Sequence, residues 1–121
     1  AGDRVILVDT SVWVDHLRSG DVALAGALEA GDVCTHAFVI GELACGRLRN
    51  RAEVLGLLER LPRVSSATDR EVLELIEARG LMGRGLGWVD AHLLAAVLLA
   101  PGTRLWSRDR RLGEVAAELG V

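Results

Sequence analysis

Four acidic residues, Asp9, Glu42, Asp90 and Asp109, stand where side-chain oxygens could do chemistry. Asp9 closes the apolar run Val5-Ile6-Leu7-Val8, and Asp109 comes shortly after Thr103-Arg104-Leu105-Trp106. An unbroken β-branched and aliphatic run ending in turn residues predicts a strand of the type buried in parallel sheets. Acids just beyond such strands lie at their carboxyl ends, where open α/β sheets bind ligands. Glu42 falls inside a predicted helix and Asp90 in the first turn of another. Each acid also has an ordinary role open to it. Asp9 and Asp109 suit helix caps, Asp90 suits a helix dipole, and Glu42 suits a solvated helix face.

The set is less ordinary than its members, because strand-end positions converge in a doubly wound sheet. Crowded carboxylates repel, so some hold protons until a cation neutralises them. Oxygen donors without Cys or paired His favour Mg²⁺ or Mn²⁺. Such an ion binds a phosphate oxygen and acidifies its own water, which is the chemistry of phosphodiester hydrolysis. His16, His36 and His92 are scattered and form no His-x-x-x-His pair, so a zinc site is not expected. Cys34 and Cys45 lack finger spacing and fit free thiols better than a bridge.

Short apolar strands alternate with helical stretches around these acids. Strands are expected at residues 5–9, 32–36, 63–66 and 103–106. Helices are expected at 11–18, 22–30, 37–48, 52–61, from the capping box Thr68-Asp69-Arg70-Glu71 onward, at 90–100 and at 110–119. Four glycines crowd residues 80–87 around Met82, Arg84 and Leu86, which predicts a loop whose spacing matches no nucleotide-binding fingerprint. The fold class expected is α/β, a doubly wound parallel sheet of four to five strands flanked by helices, in one domain over residues 3–121. Ala1-Gly2, standing where a Met is expected, is set outside it.

Composition bounds what such a domain does. At 121 residues the chain can bury one sizeable core, and a mean hydropathy of +0.30 excludes disorder. No apolar run approaches the roughly 20 residues of a membrane span, so no membrane partner and a cytoplasmic location are expected. A net charge of −3 argues against nonspecific coating of nucleic acid. All 14 basic residues are Arg, which excludes any mechanism that needs a lysine.

Val8-Asp9-Thr10-Ser11, Gly41-Glu42-Leu43, Trp88-Val89-Asp90-Ala91 and Ser107-Arg108-Asp109-Arg110 occur in an order and at separations that resemble the PIN domain. Within that family the chain is most similar to the VapC ribonuclease toxins of bacterial toxin–antitoxin pairs. The resemblance spans essentially the whole chain. The last motif departs from the family's Thr-x-Asp-x-x-Phe, with Ser107 for Thr and Leu112 for Phe; the hydroxyl is kept.

The resemblance implies that Asp9, Glu42, Asp90 and Asp109 hold one or two Mg²⁺ or Mn²⁺ ions, supported by Thr10, Ser11 and Ser107. It implies RNA as substrate, a VapB-type antitoxin as inhibitor and a homodimer. Residues 47–51 would lie near the edge of an antitoxin groove formed by the first helices. An acidic pocket repels RNA, so arginines must contact its backbone. Arg84, Arg108, Arg110 and Arg111 are best placed, with solvated surface charge or ion pairs to Glu114 and Glu118 as the ordinary alternative. Trp88 and Trp13 are candidates for stacking on a base, with core packing as the commoner use; Trp106 is expected in the core.

Three rivals remain. A response-regulator receiver needs a phospho-accepting Asp after its third strand and a Lys. A haloacid-dehalogenase-like phosphatase needs Asp-x-Asp and a Lys, whereas Ser11 occupies the second position here. Both fail on the absent lysine. A catalytically inactive PIN-like module that binds RNA or a partner is the third, and the complete set of acids opposes it.

Overall fold

The computed structural model describes residues 5–121; the expected domain start at Asp3 lies outside them. The chain begins with strand β1 (Val5–Val8), followed by helices α1 (Thr10–Ser19) and α2 (Val22–Glu29). Strand β2 (Val33–Cys34) leads into α3 (Ala37–Cys45), α4 (Arg51–Arg60), α5 (Asp69–Arg79) and α6 (Trp88–Leu98). Strand β3 (Thr103–Trp106) and helix α7 (Arg110–Glu118) complete it.

The sheet is parallel and ordered β2-β1-β3. Ile6 pairs with Val33 and Arg104, and Leu7 with Cys34 and Leu105. Because β1 is central, strand order reverses beside it, and such reversals open a crevice at the carboxyl ends. Asp9 and Ser107 leave adjacent strands at that crevice, with the Asp9 N–H donating to the Trp106 carbonyl at 2.9 Å.

The expected count of four to five strands is corrected to three among the described residues. The stretch 63–66 makes only one parallel bridge, Thr35 to Arg63. Pro62 precedes it, and its own residues are half-buried or exposed except where the chain turns in at Ala67. A segment with so little apolar area to bury has little to hold it in a ladder. The first strand is also buried only in its second half: Leu7 and Val8 are fully buried, whereas Val5 is exposed.

Helix termini follow local chemistry. Thr68 accepts from the Glu71 N–H while Glu71 accepts from the Thr68 N–H, the reciprocal box expected from sequence. Helix α3 stops at Cys45, three residues short of expectation, where Gly46 takes an extended backbone. Arg51 then donates to the Ala44 and Gly46 carbonyls, closing that helix end from the next helix. The core joins Leu7, Val8, Val12, Trp13, Leu24, Val39, Leu43 and Leu93, with α6 buried along most of its length.

Candidate metal centre

Asp9 is 6% exposed and is the N-cap of α1. Its Oδ2 accepts from the Ser11 N–H (3.3 Å), the Ser11 hydroxyl (2.6 Å) and the Ser107 hydroxyl (2.9 Å). Ser11 Oγ in turn accepts from the Arg108 N–H at 2.9 Å, and Ser107 Oγ from the Asp109 N–H at 3.0 Å. Each hydroxyl has one proton, and both protons are spent on Asp9. The two seryl oxygens, 3.3 Å apart, are therefore neighbours on one acceptor. This lattice fixes the Asp9 carboxylate through Oδ2 and leaves Oδ1 for a cation.

Asp109 caps α7, its Oδ1 accepting from the Leu112 N–H at 3.1 Å. Asp90 sits in the first turn of α6, its Oδ2 accepting from the Gly87 N–H at 3.0 Å. Three helix N-termini thus each hold one carboxylate by one oxygen, and their dipoles offset part of the negative charge. Glu42, in the middle of α3, arrives from a different direction. Its Oε1 accepts from the Thr10 hydroxyl at 2.6 Å, tying it to the residue after Asp9.

Burial raises the Asp90 carboxyl above its ordinary value, and repulsion from Asp9, Asp109 and Glu42 adds to the rise against the opposing Gly87 hydrogen bond. All four acids therefore share one electrostatic neighbourhood. Among the described residues, no three His, Cys, Asp or Glu side chains have closed to direct coordination of one ion. The donor set nonetheless suits a hard divalent cation: oxygens only, on four mutually repelling carboxylates that each have one oxygen anchored.

Of the four arginines expected at the RNA backbone, Arg84 and Arg110 take the ordinary alternative, ion pairs with Glu118 and Glu114. Arg84 makes two parallel hydrogen bonds to Glu118, at 2.8 and 2.6 Å. Arg108 reaches Asp15 at 2.9 Å and also pairs with Asp21, and its guanidinium lies 5.7 Å from the Trp106 ring centroid. That clamp holds Asp21 below the usual carboxylate range. Arg110 is 3.8 Å from Glu114, a loose pair. Arg111 crosses Gly85 so closely that a Cβ there would meet its Cδ at 2.6 Å. The partners of Arg108 lie more than eighty residues earlier in the chain, so no local signal reveals them.

Trp13 is fully buried, as its apolar neighbours imply. Trp88 is 44% exposed, contrary to core packing, because α6 begins with it and its ring rests on His92. Trp106 is only partly buried. His36, a poor capping residue by type and so unmarked in the sequence, caps α3 by accepting from the Phe38 N–H at 2.9 Å. Phe38, one apolar residue among several on α3 by sequence, packs against His92.

The PIN-domain profile matches residues 6–118, nearly the whole chain. The chain belongs to the PIN-domain family. Ribonuclease VapC32 of Mycobacterium tuberculosis, in strains CDC 1551 / Oshkosh and H37Rv, is 50% identical to it over 117 residues. That alignment covers 97% of this chain and 94% of the relative.

Proposed function

We propose that this PIN domain is a metal-dependent endoribonuclease toxin that hydrolyses RNA phosphodiester bonds in the four-carboxylate pocket. By its close likeness to Ribonuclease VapC32 it is a VapC-type ribonuclease. The observation that carries the site assignment is the hydrogen-bonded lattice Ser11–Asp9–Ser107–Asp109 with Thr10–Glu42 beside it. Asp9, Glu42, Asp90 and Asp109 are the residues that would hold one or two Mg²⁺ or Mn²⁺ ions. Bound there, the metal would supply Lewis acidity toward the phosphate and a more acidic water. Ser11 and Ser107 orient Asp9, and Thr10 orients Glu42. A cation there would favour the ionised form of Asp90, which burial and its acidic neighbours otherwise disfavour.

Arg110 and Arg111, beside Asp109, are the arginines available to RNA phosphates; Arg84 and Arg108 brace the loops around the pocket. A groove of about 710 Å³ runs past Thr10, Val14, Leu17, Glu42, Leu43 and Val54, with residues 46–50 along its side. It suits a VapB-type antitoxin and opens next to the acidic pocket through Glu42. A homodimer has exposed Leu73 and Leu99 to draw on. The toxin acts on RNA in the cytoplasm; among the described residues, no helix is long and apolar enough to cross a membrane.

Purified protein incubated with total RNA and Mg²⁺ tests the reading. Cleavage is expected, with loss in EDTA and a fall of at least about a hundredfold in Asp9→Asn. Cleavage indifferent to both changes overturns the metal site. Absence of cleavage with intact folding favours the inactive binding module.

A further inference from the structure

The chain has three Trp, one Phe and no Tyr, so each aromatic ring is scarce apolar area. Burying such a ring is strongly favourable. Phe38 and Trp88 nevertheless stand 37% and 44% exposed. Both rest on the same side chain, the buried His92 imidazole, which is 2% exposed. The Phe38 centroid is 4.8 Å from it at 59°, and the Trp88 centroid 4.7 Å away at 82°. His36 backs Phe38 from the other side at 5.1 Å. Neither His92 nitrogen has a hydrogen-bond partner among the described residues; Asp69 Oδ1 is 3.2 Å from Nε2 but outside hydrogen-bonding direction. The imidazole serves as a packed support for two half-open rings.

Their position relates these rings to the acids. Phe38 precedes Glu42 by one turn on α3, on the same helix face. Trp88 begins α6 and Asp90 lies in the same first turn. Phe38 therefore lies on the helix face that carries Glu42, and Trp88, which shares His92 with it, opens the helix whose first turn holds Asp90. An RNA strand whose phosphate lies at the pocket brings its neighbouring nucleoside toward these rings. A nucleobase is flat and uncharged, so it tolerates the acidic surroundings that repel the backbone, and any of the four bases offers a face to stack.

We infer that Phe38 and Trp88, supported by His92, form a stacking site for one unpaired nucleobase next to the cleaved phosphate. The inference rests on the ribonuclease reading and deepens it. Only unstacked bases can enter, so the site selects single-stranded or loop RNA over duplex.

The test measures binding of a labelled single-stranded oligoribonucleotide, its duplex, and an abasic strand of equal length. Ca²⁺ replaces Mg²⁺ to neutralise the pocket. Trp88→Leu and Phe38→Leu are each expected to weaken single-strand binding on the order of tenfold and to leave abasic binding unchanged. Trp88→Phe, which keeps a ring, is expected to retain most of the affinity. Thermal melts of each variant confirm folding. Folded leucine variants that bind the single strand like wild type overturn the site, including the case in which the rings serve a protein partner. If the same preparations still cleave RNA with Mg²⁺, the nuclease stands without the base site. Wild type that neither binds nor cleaves overturns both.

Discussion

At the residue level, a carboxylate that caps a helix through one oxygen keeps the other for the proposed cation. Asp9, Asp90 and Asp109 each use one oxygen on a helix-end N–H, and Asp9 adds two hydroxyls to the same oxygen. Anchoring one oxygen fixes the other, which is what a ligand requires. Asp90 shows the strain of this arrangement. Its folded-state pKa is raised by burial and by Asp9, Asp109 and Glu42. Above the ordinary carboxylate value the folded protein therefore holds a proton that the unfolded chain has released, and stability falls as pH rises through that window. At neutral pH, Asp90→Asn is expected to melt above wild type in EDTA, because the amide carries no charge to bury or repel. Adding Mg²⁺ should raise wild type more than the variant, since metal bound to the native state stabilises it. Calorimetric melts with and without metal check both; equal metal shifts would remove Asp90 from the ligand set.

At the level of elements, the site depends on where helices begin. α1, α6 and α7 each start at an acid or one turn before it, and α3 starts at a histidine cap. The His36 pKa is lowered by burial, then by repulsion from His92 and Arg63. Its Nδ1 must stay unprotonated to accept from Phe38, while Nε2 lies 3.3 Å from the Ser66 hydroxyl. The unfolded chain takes up a proton near the ordinary value of about 6.5 and the folded protein resists it, so stability is lost as pH falls below that value. Urea midpoints at pH 7.5 and 5.5 should drop more for wild type than for His36→Asn, which keeps a capping acceptor without titrating. Elements with strong local signals, such as the Thr68 box and the 103–106 strand, were legible in the sequence to the residue. The bridge at Arg63 was overread as a strand, because a short polar stretch carries no period to separate a ladder from a single contact.

For the whole molecule, charge pairing decides how RNA can be held. Arg84 and Arg108 are committed to Glu118, Asp15 and Asp21, leaving Arg110 and Arg111 near Asp109. Each phosphate neutralised on a single strand contributes a slope of about −0.7 in log K against log salt. Contacts from Arg110 and Arg111 alone predict a slope of about −1.4, and contacts from all four would give about −2.8. A salt titration of single-strand binding distinguishes them; the steeper slope would mean that RNA breaks the Arg84 and Arg108 pairs. What the sequence determined by itself was local and repeated: the apolar strands, the caps, and acids at strand ends and helix starts, because hydrophobic runs and capping residues act over a few neighbours. The tertiary structure decided which partners meet across many residues. Ser107 joins Asp9, Thr10 joins Glu42, Arg108 is held by α1 and the residue before α2, and Phe38 and Trp88 share His92. Those contacts exist only because the β2-β1-β3 order brings distant segments to one end of the sheet, and no local pattern encodes that order.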